Sequence, residues 1–345
     1  MSTQSFIVNR LDPADYGRWD SFVRGVEGGT FYHLSGWKKL IEKELRHRTY
    51  YLHCENEGEI AAVLPLARVK SWLFGDALVS TPFLVHGGPL ASSEQALQNV
   101  VAAAKEIAEE LRVDYLELRN RAPLNGKWHC NDSYVTFRKS IDPDPQANLM
   151  AIPRKQRAMI RKGIKAGLAT EIDTKTDRLY GAMLTCKRNL GTPFFGRRWL
   201  QAIKEEFGEQ AEITTITHDG DTVCSVMSFH FRDEILPYYG GGGDLARDLK
   251  GNDFMYWAVM EGACTRGVSI FDYGRSAVDS GAYRFKKHWG FEPEPLHYQY
   301  YLVKAKNRPN ISPTNPRYQL LIEAWKKLPL AAAGLIGPPL ARRLA

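Results

Sequence analysis

Cysteine is scarce in this chain: Cys54, Cys130, Cys186, Cys224 and Cys264 lie far apart among 345 residues, and no two form a Cys-x-x-Cys pair. That spacing excludes a disulfide scaffold and a paired zinc ligand set, and it predicts buried, reduced thiols. Also missing are His-Glu-x-x-His, Gly-x-Ser-x-Gly, a Gly-Lys-Ser/Thr phosphate loop, and Gly-x-Gly-x-x-Gly after a first strand. Metal ligation, triad hydrolysis and nucleotide fingerprints therefore have no motif to rest on. The scattered His33, His86 and His230 read as structural histidines, and no metal is expected.

Long apolar runs are absent too. The tail "LPLAAAGLIGPPLARRLA" is apolar then basic, but it is shorter than the roughly 20 residues a membrane helix needs, and Pro338 and Pro339 are expected to break it. It fits a surface-dipping or partner-docking tail as well as a simple docked end. The N-terminal segment has no basic stretch followed by an apolar one, so no secretory leader is expected and the cytoplasm is the default location. Acidic residues are the minority charge, 39 against 46 Lys and Arg, for a formal net charge of +7. This weakly favours anionic partners such as phosphates, nucleic acid or an acidic membrane surface. At 44% hydrophobic and 25% charged residues the composition is that of a globular protein, and the length fits two domains of about 150 to 170 residues.

Two copies of one unit are legible. "RTYYLHCENEGEIAAVLPLARVKS" and "AEITTITHDGDTVCSVMSFHFRD" both read as hairpins around a tight turn. Each follows a lead-in with Gly-Thr, aromatic residues and a Trp that opens an amphipathic helix, "GGTFYHLSGWKKLIEKEL" and "LGTPFFGRRWLQAIKEEF". Each precedes a strand expected to end in glycines, "LVHGGPL" and "LPYYGGGG", then a helix and a further strand, "DYLELRN" and "SIFDYGR". A period of roughly 160 residues argues for a duplicated domain. The expected class is α+β, each domain a mainly antiparallel sheet flanked by helices. We expect an N-terminal domain over 1–145, a C-terminal domain over 146–310 and a helix with apolar-basic tail over 311–345, the boundary falling in the Pro- and acid-rich "DPDPQANLM".

Candidate chemistry concentrates in the second copy. In "PYYGGGGDLARDLKGNDFMYWAVMEGACTRGV" a strand is expected to end at Tyr238 and Tyr239. Gly240 and Gly241 then let the backbone turn and approach a ligand, and Asn252 or Asp253 caps a helix ending at Gly267. A flexible loop before a capped helix is the competing reading. In "FDYGRSAVDSGAYRFKKHWG" the pattern predicts a strand, a turn carrying Arg275, Asp279 as helix cap, and Gly290 as helix stop. Ala282, Phe285 and Trp289 share one face, so that face should be buried, with Lys286 at its margin beside Tyr283. Arg284, Lys287 and His288 point outward. A lysine at an apolar edge loses hydration and stabilises a phosphate or oxyanion more strongly, so Lys286 is the catalytic candidate. Asp272 either accepts a proton or caps the turn. "PRKQRAMIRKGIKAG" spreads Arg154, Lys155, Arg157, Arg161, Lys162 and Lys165 around most of a helix. This is either an anion-binding element or solvated charge.

The basic helix, the strand with its Gly-rich link and Trp-containing helix, the Asp-aromatic-Gly turn and the Phe-Lys-Lys helix together resemble the Fem family of peptidyltransferases. The nearest branch is the one associated with exopolysaccharide and exosortase (PEP-CTERM) gene clusters. The first domain supports this through "GTFYHLSGW" and the duplication. The resemblance implies two tandem GNAT-like (acyl-CoA N-acyltransferase-like) domains, with donor and acceptor meeting between them. It places Lys286 in a transfer channel as electrostatic catalyst, gives precursor phosphates to basic side chains near Trp37, chiefly Lys38, and to Arg197, and counts Trp37 among the substrate-binding residues. Tyr239, Gly240, Gly241, Arg275 and Tyr283 complete the expected substrate-binding set. Fem-type relatives transfer an amino acid from aminoacyl-tRNA to a lipid- or nucleotide-linked cell-wall precursor. No long charged coiled-coil insertion is present, unlike in some members, so acyl-CoA stands beside aminoacyl-tRNA as donor; no tightly bound cofactor is implied. The acceptor is a small-molecule or lipid-linked glycan or peptide, met in the cytoplasm or at the inner face of the membrane. The alternative class is a non-catalytic module that binds anionic glycan or lipid-linked precursor in an export complex. A general RNA-binding protein ranks behind both, because no RNA-recognition motif is present.

Overall fold

The computed structural model describes residues 5–71, 75–309 and 316–344. Its chain forms two compact units. One comprises Met1–Tyr134, Pro295–Ile311 and Arg342–Ala345, and the other comprises Val135–Glu294 and Ser312–Ala341. The division differs from boundaries at 145/146 and 310/311, the latter falling outside the described residues. The strand Tyr134–Ser140 pairs with Ile270–Asp272 and so joins the second unit. Conversely, His297–Leu302 pairs with Tyr115–Asn120 and joins the first. The Pro- and acid-rich stretch expected to hold the boundary contains a capped helix, Pro145–Ala151, with Asp144 accepting from the Gln146 N–H at 2.9 Å. Its Leu149 enters the second unit's core.

In the first unit the expected hairpin forms between Leu52–Asn56 and Glu59–Leu64. Glu57 and Gly58 both adopt left-handed φ, 51° and 83°, the geometry that matches strand twist in a two-residue turn. The helix Glu94–Glu110 starts at Ser93, whose hydroxyl accepts from Ala96 N, and buries Ala96, Val100, Ala104 and Ala108. This i, i+4 stripe seats it on the sheet. "LVHGGPL" departs from expectation: only Leu90 and Ala91 pair as strand. The N–H groups of Gly87 and Gly88 instead donate to the Arg119 carbonyl at 3.0 and 2.9 Å, and a Cβ on Gly88 would stand 1.8 Å from Asn120 Oδ1. Close approach to a neighbouring strand, rather than strand termination, explains these glycines.

The second unit is built on an eight-stranded sheet. Its hairpin, Ala211–His218 with Asp221–Phe231, turns at Asp219 and Gly220 with φ of 51° and 88°. Glu234–Gly242 pairs antiparallel with Asp221–Phe231 and parallel with Ile270–Asp272. Helix Gly251–Cys264 and the sheet enclose Ile216, Val226, Trp257, Met260, Phe271 and Trp289. The basic helix, Arg154–Lys165, buries Gln156, Ile160 and Gly163. Its charges therefore occupy the remaining faces rather than most of the circumference, with Arg154, Lys155, Arg161, Lys162 and Lys165 exposed. The C-terminal helices are Pro316–Lys326 and Leu330–Ala341. The second continues through Pro338 and Pro339 instead of breaking there. No helix among the described residues is long and apolar enough to cross a membrane.

Candidate active site

The strand Ile270–Asp272 leaves the sheet at a tight turn. Asp272 holds that turn: its Oδ1 accepts from Gly274 N at 2.7 Å and Thr136 Oγ1 at 3.2 Å, and its Oδ2 faces Arg138 Nε at 3.2 Å. Gly274 needs its glycine, with φ at 66°. The carboxylate is buried and engaged on both oxygens, which is the turn-capping arrangement.

Helix Gly281–His288 follows. Its cap is Ser280, whose hydroxyl accepts from Tyr283 N at 3.1 Å, and not Asp279, which sits at φ 59° in the turn. Gly290 stops the helix at φ 79°, as the spacing predicts. The buried face is rotated from expectation: Ala282 is exposed, Phe285 is half-buried, and Lys286 joins Trp289 inside. Trp289 sets this rotation, because its Nε1 donates at 3.1 Å to Asp253 Oδ1. Gln156 donates to the same oxygen. Asp253, expected as a helix cap, thus serves as a buried acceptor, while the cap position is Lys250 at φ 60°.

Lys286 is 8% exposed. Its Nζ donates to the carbonyls of Gly274 at 2.8 Å and Arg275 at 3.1 Å, and lies 5.5 Å from the Phe137 ring centre. Burial pulls its pKa down to about 7; Asp272 opposes this shift and Arg275 adds to it. An ammonium has three N–H donors and a neutral amine only two. Two are spent on carbonyls, and no acceptor among the described residues takes a third.

The same unit supplies groups that sequence reading passed over. The strand does not end at Tyr239 but runs to Gly242. A Cβ on Gly241 would lie 2.8 Å from the Ala182 carbonyl oxygen and 3.0 Å from Cys186 Cβ. The glycines therefore let helix Asp177–Asn189 press onto the strand. This packing carries half-buried Lys187 into the electrostatic field of Arg275, and burial lowers the Lys187 pKa. Lys187 and Arg188 end a helix, where basic residues are ordinary, so only the glycine contact signals a different environment. Cys186 is also half-buried and Cys130 exposed, so just three of the five free thiols are buried.

Asp272, Arg275 and Lys286 are thus brought together, and the Tyr283 ring packs 5.4 Å from the ring of Phe137, over which Lys286 lies. Other candidates are engaged elsewhere. Tyr239 is buried and accepts from Trp199 Nε1 at 2.9 Å. Arg197 is exposed, pairs with Asp177 at 2.6 Å and lies 4.6 Å from the Tyr180 ring. In the first unit Trp37 is fully buried and donates to the Phe31 carbonyl at 3.0 Å, while Lys38 pairs with Glu42 at 2.7 Å. His33 is a satisfied core histidine, bonded to Thr30 and Gly88, with its pKa lowered to about 4 by burial. No group of three His, Cys, Asp or Glu among the described residues is placed to hold a metal ion.

Residues 154–287, spanning the basic helix through the lysine helix, match the family described as acetyltransferase (GNAT) domain. That stretch lies within the second unit, which is thus similar to GNAT-type acyltransferase domains. No curated protein matches the chain in sequence. Among solved structures, FemX is 16% identical with a TM-score of 0.65, covering 92% of this chain and 100% of that one. A tandem GNAT protein from the clavulanic acid biosynthesis pathway is 13% identical with a TM-score of 0.56, covering 88% and 100%. The C-terminal domain of a putative lysylphosphatidylglycerol synthetase from Agrobacterium fabrum is 12% identical with a TM-score of 0.55, covering 83% and 92%. At these identities the likeness is one of fold, and it extends the GNAT-like assignment to both units.

Proposed function

We propose that this acyltransferase moves an acyl or aminoacyl group from acyl-CoA or aminoacyl-tRNA onto an amine or hydroxyl of a cell-envelope or exopolysaccharide precursor. The carrying observation is the Lys286 ammonium, held by two carbonyls with one N–H left over. Attack of the acceptor on the donor's ester or thioester carbonyl forms the new C–N or C–O bond and places negative charge on the carbonyl oxygen. The third N–H of Lys286 receives that oxyanion. Collapse then breaks the donor C–O or C–S bond, and the departing ribose hydroxyl or thiol leaves with the proton lost by the acceptor. Positioning and electrostatics supply the rate enhancement, with no covalent enzyme intermediate. Asp272 in this reading is a positioning residue: it fixes the turn whose carbonyls hold Lys286.

The Fem-type motifs support the envelope setting, the exosortase-associated branch among them, and the apolar-basic tail supports peripheral contact at the inner membrane face. Arg275 and Tyr283 flank the lysine and are assigned to substrate contact. The test is single-turnover transfer from acetyl-CoA and from charged tRNA, in separate reactions, to glycan and peptide amines. Lys286→Met should lower the transfer rate about 10²- to 10³-fold, the usual cost of one oxyanion donor. Undiminished transfer by that variant would end this assignment.

A further inference from the structure

We infer that the outward face of the C-terminal helix pair seats on an anionic lipid surface. This deepens the peripheral-contact part of the proposed function, and its test uses no transfer assay, so either can fail alone. Thirteen large hydrophobic side chains are exposed among the described residues, and six of them, Leu320, Leu321, Leu330, Leu335, Ile336 and Leu340, fall within one short C-terminal stretch. The rest are scattered singly, as on any soluble surface. Leu320 is 83% exposed and Leu335 79%.

The inner faces of these helices are already committed. Ala333, Gly337 and Ala341 are buried, and a Cβ on Gly337 would lie 3.0 Å from the Phe194 carbonyl oxygen. Trp325 is buried on the preceding helix. Rotation cannot hide the leucines without undoing that contact, so their exposure belongs to the packed state.

Charge selects the occupant. Between residues 316 and 344 there are five basic residues, Arg317, Lys326, Lys327, Arg342 and Arg343, and a single acid, Glu323, which pairs with Lys326 at 2.7 Å. Lys327 and Arg343 are exposed and form no ion pair among the described residues. An apolar face fringed by basic residues matches a lipid interface with anionic headgroups. A second copy of this chain would set two basic fringes against each other.

The seat is shallow. Pro338 and Pro339 offer no N–H to the carbonyls of Gly334 and Leu335 one turn earlier, a demand that hydrated headgroups meet and hydrocarbon does not.

Sedimentation of the full chain with vesicles of phosphatidylcholine containing phosphatidylglycerol, against phosphatidylcholine alone, tests this. Binding should favour the anionic vesicles, and Leu335→Asp/Ile336→Asp should reduce it by roughly tenfold or more, consistent with the free energy of burying two large side chains. Leu320→Asp, on the other helix, should weaken it as well, with an unchanged thermal melt showing that each variant folds. Lys327→Glu/Arg343→Glu should remove the preference for anionic lipid. Equal sedimentation of wild type and the Asp variants would overturn the proposal. So would a wild-type dimer in lipid-free buffer that the Asp variants abolish, which would assign the face to a second copy.

Discussion

Lys286→Met makes the energetic position of the site measurable without knowing any substrate. The folded-state pKa of about 7 lies below the ordinary 10.5 because burial outweighs the help of Asp272. Below pH 7 the lysine is charged in both folded and unfolded chains, and the folded state bears the full desolvation cost. As pH rises from 7 to 10.5 the folded chain sheds its proton first, so wild-type stability should increase by about 1.4 kcal/mol per pH unit. Over the whole window this is on the order of 5 kcal/mol. Methionine keeps much of the stem volume and removes the proton. It also leaves the Gly274 and Arg275 carbonyls without their donor, costing about 1–3 kcal/mol, but that loss is an offset independent of pH. Urea unfolding of both proteins at pH 6, 7, 8 and 9 isolates the effect, because other titrating groups cancel in the difference. Stability of wild type relative to variant should be flat from pH 6 to below 7, then rise by roughly 2–3 kcal/mol to pH 9. A difference that stays level from pH 6 to 9 would refute the desolvated lysine with a lowered pKa.

The transfer rate itself should run the other way, falling as pH climbs through about 7, because only the ammonium has the unused donor; a pH–rate profile of kcat checks the sign. Neighbouring charges should move that midpoint in opposite directions: Arg275→Ala upward, since Arg275 disfavours the ammonium, and Asp272→Asn downward, since Asp272 favours it. Gly241→Ala sets a Cβ 2.8 Å from a backbone oxygen, whereas Gly240→Ala meets the Tyr256 hydroxyl at 3.2 Å. The first should cost about 1–3 kcal/mol and the second less, read as thermal midpoints. Asp253→Asn keeps an acceptor for Trp289 Nε1 and should change stability little at pH 7. Asp253→Ala strands that N–H and the Gln156 donor, and should cost about 2–4 kcal/mol in urea unfolding.

Period and turn chemistry carried most of the fold. The Asn-Glu-Gly-Glu and Asp-Gly turns forced left-handed backbone at Glu57–Gly58 and Asp219–Gly220, so both hairpins were legible from local rules. Failures came where a contact distant in sequence decided the outcome. Gly240 and Gly241 look like a turn, and only the approach of Tyr256 to the first and of helix Asp177–Asn189 to the second reveals why they lie inside a strand. Ala282 has the right spacing for a buried face, but the bond from Trp289 to Asp253 rotates that face toward Lys286. The exchange of Tyr134–Ser140 and His297–Leu302 between units is likewise invisible to periodicity, which reports which face is buried and not against which partner. Lys286 was singled out for its apolar neighbours; its depth, and its two carbonyl partners, required the turn's three-dimensional path.

On the proposed reading, the chemistry belongs to one copy of the duplicated unit. In the first unit the strand corresponding to Ile270–Asp272 is Tyr115–Asn120, and its polar groups are closed upon themselves. Arg119 Nε donates to Glu117 at 2.7 Å and its Nη1 to the Leu84 carbonyl at 3.0 Å, while Asn120 donates to Gln299 at 2.9 Å. All three partners are protein groups, so the strand end is finished as structure. In the second unit the carboxylate is equally closed, by Gly274, Thr136 and Arg138. The difference lies one element later. There the Phe-Lys-Lys helix delivers a buried cation that favours an extra acceptor, with Arg275 adding positive charge near it. A buried cation with an unspent donor is costly to keep in a fold. An anionic or oxyanionic occupant would offset that cost, which is why the second unit, not the first, is where transfer should be sought.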